Sequence, residues 1–204
     1  MPLNAKYLKE LSHLFVEDLK RSDYYRKLPE NERRDLDDRI SSELAEGRHP
    51  LLPGAEEEDL QKLSKAIQQK LHVRLPVEVI DVLRQVDGFS ENGVTLYGID
   101  PELRDDQFDS GPSLLAENLV HWGSVPLKTL RYLFVGDSDL WYFAIELATG
   151  YPVVLDKATL KQVERFASME ELVNEMMEQA LGDYFEDPED EPGSHSTGFH
   201  FSSN

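Results

Sequence analysis

Two carboxylates and two aromatic side chains lie close together in the second half of the sequence. Asp137 and Asp139 flank Ser138, and Trp141 and Tyr142 follow at once. Paired carboxylates in a turn can bind a hard divalent cation. The third Asp or Asn and the closing Glu of an EF-hand loop are missing, however. A solvated hairpin turn is therefore the favoured interpretation, and we predict no metal site.

The same segment has the composition of a protein-binding surface. Trp141 and Tyr142 are neighbours on a predicted strand, so they should lie on opposite faces, with one side chain pointing outward. Tyr and Trp are frequent anchors of interfaces because they bury a large area at a low entropy cost. An exposed aromatic ring near carboxylates would suit a cationic partner. The predicted partner-binding residues are Asp137, Asp139, Trp141, Tyr142, Glu146, Glu91, Asp105, Asp106 and Asp109.

A second aromatic cluster, His121-Trp122-Gly123, has two interpretations. It can serve as an interface anchor, or the indole can pack under a sheet. Packing under the sheet is the favoured interpretation, because large aromatic side chains contribute strongly to protein cores.

The sequence contains none of the common catalytic motifs. It has no Gly-rich phosphate loop, no Gly-x-Ser-x-Gly elbow and no His-Glu-x-x-His pair. It also has no cysteine, which excludes disulfides, thiolate zinc sites and cysteine nucleophiles. We predict a protein that is not an enzyme and needs no cofactor. A hydrolase remains an alternative, and it would require carboxylates with perturbed pKa values converging in a cleft.

The net charge of −19 is distributed unevenly along the chain. Residues 1–50 hold ten basic and eleven acidic side chains, whereas the last 23 residues hold six acids and no Lys or Arg. Such a charge repels nucleic acid and anionic membranes and attracts basic proteins. The first residues do not resemble a signal peptide, and no apolar run approaches the ~20 residues of a membrane helix. We therefore expect a cytoplasmic protein.

Hydrophobic periodicity predicts helices first, then strands, then one more helix. Two helices occupy residues 1–50, a third begins at Glu56, and a fourth opens at Pro76 and ends at Gly88. Strands follow at 94–99, 132–135, 141–147 and 151–155, and a capping box at Ser168 starts the last helix. The predicted fold is α+β, with an antiparallel sheet of about five or six strands flanked by helices. The predicted domains are a helical extension (1–50), an α+β domain (51–181) and an acidic tail (182–204).

The order of several short motifs resembles that of a known family. Pro53-Gly-Ala-Glu-Glu-Glu-Asp-Leu60 is followed by Leu75-Pro76 and by Val86-Asp87-Gly88. Leu96-Tyr97-Gly98, Val135-Gly136-Asp137 and Phe166-Ala-Ser-Met-Glu-Glu-Leu172 come next. Together these motifs resemble the SUKH superfamily of the Smi/Knr type, over about Pro53–Leu181. Asp87 stands where an Asn is common in that family, although both residues tolerate the turn.

The resemblance implies a binding scaffold with no shared catalytic residues. Many bacterial members of this family are immunity proteins that neutralise a cognate toxin, frequently a nuclease. The first hypothesis is therefore an acidic immunity protein that binds a basic toxin domain, as a monomer or weak dimer. The alternative is a regulatory or scaffolding module without a toxin partner, in which the helical extension and tail recruit other proteins.

Overall fold

The computed structural model describes residues 2–104, 112–124, 126 and 131–182. The helices in this part of the chain are α1 (Ala5–Arg21), α2 (Asp23–Lys27), α3 (Glu30–Ala45), α4 (Glu57–Leu71), α5 (Val77–Leu83), α6 (Leu114–Gly123) and α7 (Met169–Leu181). The strands are β1 (Phe89–Glu91), β2 (Val94–Leu96), β3 (Tyr132–Ser138), β4 (Trp141–Glu146), β5 (Pro152–Asp156) and β6 (Gln162–Arg165). None of the described helices is long and apolar enough to cross a membrane.

The six strands form one antiparallel sheet in sequence order, β1 to β6. Short turns join β1 to β2 and β3 through to β6, whereas the connection from β2 to β3 is long and contains α6. A bulge between Phe134 and Gly136 interrupts the pairing of β3 with β4. The predicted α+β class with an antiparallel sheet flanked by helices is confirmed.

Helix α7 packs against the sheet and supplies much of the core. Ser168 caps it by accepting a hydrogen bond from the Glu171 amide, as the predicted capping box requires. The Glu171 side chain accepts one from the Ala167 amide, one residue before the N-cap. Its inward face is fully buried, from Met169 to Leu181. A Cβ at Gly136 would lie 2.6 Å from Met176 Cε and 2.3 Å from the carbonyl oxygen of Thr95. Only glycine therefore lets α7 and β2 approach β3 so closely.

Helix α1 belongs to the same hydrophobic core as the sheet. Leu3, Leu8 and Leu11 lie in one buried cluster with α4, α7 and the strands. The amide of Asn4 donates to the side chain of Asn174, which anchors the start of α1 on α7. Helix α3 differs, because it buries only Ile40 and that residue lies outside this cluster. The predicted extension thus contains one core helix, one largely exposed helix and, between them, the short α2 that the sequence did not predict.

The position of Gly88 corrects one sequence-based expectation. Helix α5 ends at Leu83, so Gly88 is not its C-cap. Gly88 instead has φ 76° and lies against Gly98, where a Cβ would meet the Gly98 amide nitrogen at 2.7 Å. The neighbouring Asp87 accepts a hydrogen bond from the Ile99 amide and pairs with Arg104. The Asp-Gly pair therefore holds the chain after α5 against the chain after β2.

Helix α6, which periodicity did not predict, closes the part of the β3 edge that β2 leaves open. Strand β2 pairs with β3 only as far as Leu96 and Gly136. Beyond that point the side chain of Asn118 bonds to both backbone groups of Phe134, at 2.9 Å to the amide and 2.6 Å to the carbonyl. Trp122 Nε1 donates to the carbonyl of Tyr132 at 2.9 Å. Side chains of α6 thus take the place of a strand partner.

Candidate partner-binding surface

Three hairpin turns meet at one end of the sheet. The turn between β1 and β2 is formed by Asn92 and Gly93, and the turn between β3 and β4 by Asp139 and Leu140. The turn after β5 contacts the second, because the Lys157 amide donates to the Leu140 carbonyl at 3.0 Å. Asn92 Nδ2 also donates to the carbonyl of Ala180 at 2.6 Å, which places the end of α7 at this end of the sheet.

We use the name hairpin surface for Glu91, Asn92, Asp139 and Leu140. The Asp139 carboxylate lies against the first turn, since a Cβ at Gly93 would be 3.6 Å from Asp139 Oδ2. Neither Glu91 nor Asp139 forms an ion pair with another residue that the structure describes. Leu140 exposes 65% of its surface between them and the third turn. The hairpin surface thus exposes an apolar side chain next to carboxylates that have no cationic partner among the described residues.

Burial raises the pKa of Glu91, and the negative charge of Asp18 raises it further. Asp18 lies near the end of α1, so α1 adds a carboxylate close to the hairpin surface. The Glu91 and Asp18 carboxylates repel each other because both are negatively charged, and salt weakens this repulsion. A cation from another molecule would remove the repulsion.

Asp137 is already neutralised within the protein. Lys157 Nζ lies 2.6 Å from Asp137 Oδ2, and the same ammonium lies 5.0 Å from the centre of the Tyr142 ring. Tyr97 also forms a hydrogen bond with the Asp137 carboxylate. We predicted that Asp137 and Tyr142 contact a cation of the partner. In the structure both contact the Lys157 ammonium of the same chain.

Trp141 and Tyr142 lie on opposite faces of β4, and both are half-buried against the core. The fully exposed aromatic ring expected from strand alternation is therefore absent from this pair. Tyr142 instead packs edge-on against Phe134 and His121, at centroid distances of 5.2 and 5.0 Å. The exposed apolar residue at this end is Leu140, one position before the strand.

Not all of the predicted site residues lie at the same end of the sheet as the hairpin surface. Glu146 pairs with Tyr132 at the opposite end of β4, about 13 Å from Tyr142 at the usual rise per residue. It accepts a hydrogen bond from Thr149 in the next turn. Asp105, Asp106 and Asp109 lie outside the described residues. The structure thus brings together Asp137, Asp139, Trp141, Tyr142 and Glu91 at one end and leaves Glu146 at the other.

A group of ionisable side chains lies behind the hairpin surface, beside α6. Burial raises the pKa of Glu117, and the charges of Asp137 and Asp100 add to that effect. Burial lowers the pKa of His121, whose Nε2 atom is buried without a hydrogen-bond partner among the described residues. Burial also raises the pKa of Tyr97, with a further contribution from Asp137. Three carboxylates, those of Glu117, Asp100 and Asp137, thus come close together here, and the raised pKa of Glu117 is a feature that the hydrolase alternative requires.

Two of these three carboxylates have structural partners, which argues against a catalytic role. Asp137 is paired with Lys157, and Asp100 accepts hydrogen bonds from the Leu115 and Ala116 amides at the start of α6. A carboxylate held in this way stabilises the helix end. Among the described residues no group of three or more His, Asp or Glu side chains has a geometry suited to a metal ion.

Two apolar features escaped the sequence reasoning. Leu140 was not singled out in the sequence, although a large apolar residue directly after a turn-forming segment is itself a signal. Leu119 and Val120 on α6 are 40% and 70% exposed. These two were missed because α6 was not predicted, and helical spacing within 114–123 was the pattern that could have revealed it.

No protein-family model matches the sequence, and no curated protein shows significant similarity to it. The SUKH resemblance therefore stays a prediction from the order of its motifs.

Proposed function

We propose that this chain is a non-enzymatic protein-binding domain that captures a basic partner through the hairpin surface. The observation that carries the proposal is the combination of an exposed Leu140 with Asp139 and Glu91, neither of which has a cationic partner among the described residues. Interfaces typically combine an apolar anchor with a polar rim. Uncompensated carboxylates around such an anchor favour a partner rich in Lys and Arg.

Some other carboxylates on the described surface are compensated within the chain. Arg84 pairs with both Glu57 and Asp81, at 3.0 and 2.6 Å, and Arg21 pairs with Glu17 at 2.9 Å. These acids attract a foreign cation less strongly, because an opposite charge already lies beside them. Other exposed acids, such as Asp35 and Asp38 on α3, have no ion pair among the described residues, and the hairpin surface differs from them by its exposed Leu140.

The residues after Gly182 strengthen the same electrostatic field. The last 23 residues add six acids and no Lys or Arg, and they follow directly from α7, whose end is bonded to Asn92. A field of one sign accelerates the approach of an oppositely charged partner, and salt weakens this effect. Fast capture suits an inhibitor that must act before its target does damage.

The partner that best fits is a basic toxin domain, such as a nuclease, and the chain then acts as its immunity protein in the cytoplasm. A nuclease binds the phosphate backbone with basic side chains, and acids of the hairpin surface would occupy that binding site. The chain works as a monomer or weak dimer in this proposal. The resemblance to SUKH immunity proteins supports it independently of the surface geometry.

The test first isolates the partner protein and then measures whether the chain neutralises its toxicity. The full chain is immobilised, incubated with lysate of its native host and eluted with a salt gradient. A recovered basic protein is then expressed alone in bacteria and together with the chain. We expect the partner to stop growth, and the wild-type chain to restore it.

Matched charge reversals locate the surface. The Glu91→Lys/Asp139→Lys variant should lose at least 100-fold in affinity, about 2.7 kcal/mol, and should fail to restore growth. The Asp35→Lys/Asp38→Lys variant on α3 makes the same change in net charge and should still protect. If both variants lost the same affinity, the effect would depend on the net charge of the chain and not on the position of these acids. A captured partner that is harmless to growth would favour the regulatory alternative.

A further inference from the structure

A cavity of about 660 Å³ lies at the opposite end of the sheet from the hairpin surface. It is formed where α4 and α6 end, where β3 begins and where β4 turns into β5. The described residues that line it are Leu71, His72, Val73, Trp122, Arg131, Leu147 and Ala148. Its volume lies within the range of small-molecule sites, roughly 300–1,000 Å³.

Most of this lining is apolar, and the indole of Trp122 is held in place. Trp122 Nε1 donates to the Tyr132 carbonyl, so the polar atom of the ring is already used. The indole shares the lining of the cavity with apolar side chains such as those of Leu71 and Leu147. An apolar or aromatic ligand would bind favourably to this lining, because binding removes apolar surface of the ligand from water.

The polar side chains of the described lining are those of Arg131 and His72. Arg131 carries a positive charge, and none of the described lining residues is acidic. No described residue forms an ion pair or hydrogen bond with either side chain. Arg131 is one of several described Arg residues without a carboxylate partner, such as Arg34 and Arg74, and it differs from these two because it lines the cavity. The guanidinium therefore keeps its full capacity to bind a carboxylate through two parallel hydrogen bonds.

Arg131 and His72 also adopt an unusual backbone conformation. His72 has φ 58° as the C-cap of α4, and Arg131 has φ 53° just before β3. Glycine is the residue that adopts this conformation without strain, and it is the usual choice at such a helix end. Two residues with a strained backbone beside one cavity agree with a functional use of their side chains.

We propose that this cavity binds a small apolar molecule that carries a single anionic group, with Arg131 contacting the anion and Trp122 contacting the apolar body. The site is separate from the hairpin surface. Its ligand is defined by chemistry, a carboxylate joined to an aromatic or aliphatic group, and the binding does not depend on the protein partner proposed above.

A pair of probes tests the charge preference. 4-Phenylbutyrate carries the anion, and 4-phenylbutanamide is its neutral counterpart of nearly equal size. The chain has two Trp residues, so the Trp141→Phe variant leaves Trp122 as the only indole fluorophore. We expect phenylbutyrate to change Trp122 fluorescence with a Kd of about 1 mM or lower and to bind at least tenfold more tightly than the amide.

Variants separate the site from general effects of charge. Arg131→Gln should reduce the preference for the carboxylate to less than twofold, whereas Arg39→Gln, on the exposed face of α3, should leave it unchanged. Arg131 is exposed, so its replacement should not prevent folding, and a urea unfolding curve checks this. Equal affinity for the two probes, a preference that persists in Arg131→Gln, or no binding of either probe at about 10 mM overturns the proposal.

Glycine substitutions provide a second readout. His72→Gly and Arg131→Gly relieve the positive φ angles and should raise the urea midpoint, while both should weaken phenylbutyrate binding. An increase in stability with unchanged binding would show that the two residues serve only the backbone, and this outcome also overturns the proposal.

Discussion

Asn118 shows how much of this fold depends on a single polar side chain. Its amide group reaches the backbone of Phe134 on β3 and the carbonyl of Leu114 on its own helix, and it is fully buried. A buried backbone group without a partner is costly, because it has lost its hydrogen bond to water. Asn118 therefore provides the hydrogen bonds that would otherwise come from a neighbouring strand.

Replacing Asn118 by Ala should destabilise the protein strongly. The change leaves the Phe134 amide and carbonyl unsatisfied, at roughly 1–3 kcal/mol for each buried group. Urea unfolding followed by circular dichroism measures the loss, with Asn31→Ala on the exposed face of α3 as the control. A loss below about 1 kcal/mol would mean that water replaces the amide group.

His121 is a titratable residue in the aromatic cluster, so its protonation makes the stability of the protein depend on pH. Its ring lies 4.5 Å from Phe134 and 5.0 Å from Tyr142, and burial lowers its pKa. Asp137 opposes this shift, whereas Lys157 adds to it. A group whose folded pKa is lowered binds protons more readily in the unfolded state. Its contribution to stability is therefore complete above the unfolded value and is lost as the pH falls below it.

The His121→Gln variant should lose less stability than the wild type between about pH 7 and about pH 5. The measured quantity is the difference in unfolding free energy between the two proteins at each pH. This difference cancels the contributions of Glu91 and Glu117, whose raised pKa values act in the opposite direction. His49, which also has a lowered pKa, cancels in the same way. Parallel pH profiles would contradict the prediction.

Among the elements, α1 and α3 contrast most clearly. Both come from the near-neutral segment 1–50, and both show a stripe of apolar residues in the sequence. Helix α1 buries Leu8, Leu11 and Leu14, whereas α3 buries Ile40 alone. The amount of apolar surface removed from water determines how strongly each helix is held.

A matched pair of leucine substitutions tests this difference. Leu11→Ala removes a fully buried side chain and should cost about 2–5 kcal/mol, whereas Leu44→Ala, which is 39% exposed, should cost less than about 1 kcal/mol. Urea midpoints at an unchanged m-value measure both. Equal losses would mean that α1 is only peripheral to the domain.

At the scale of the whole molecule, the net charge of −19 opposes the compact state. Like charges are closer together in the folded chain than in the unfolded one, so their repulsion favours unfolding. Salt shortens the distance over which this repulsion acts. Internal ion pairs such as Asp137–Lys157 lose strength in salt as well, but they are fewer than the unpaired acids among the described residues.

The melting temperature should therefore rise between about 20 mM and about 300 mM NaCl. Differential scanning calorimetry measures it, and KCl should give the same curve, because screening does not depend on which monovalent cation is used. A melting temperature that falls or stays level would show that internal ion pairs outweigh the repulsion. An effect of one salt alone would indicate binding of a specific ion.

Much of the fold follows from local patterns in the sequence. The helical spacing of Leu60, Leu63 and Ile67, the Ser168–Glu171 capping box and the short turn after Leu147 predict their elements correctly. The turn predicted after Val135 lies further along the chain, because β3 continues to Ser138. These signals depend on neighbours within about four residues, so they can be read without knowing the rest of the structure. The short strands β1 and β6 and helix α6 carry weaker local patterns and were missed.

The sequence by itself determined the α+β class, the antiparallel hairpins and the excess of acids. Only the tertiary structure decided which acids remain without a cation. Asp137 and Asp139 look equivalent in the sequence, yet Lys157, twenty positions away, neutralises Asp137 and leaves Asp139 exposed. The cavity beside Trp122 has the same origin, because its walls come from four separate segments of the chain. Contacts between distant residues depend on how the elements pack, and no local pattern records that packing.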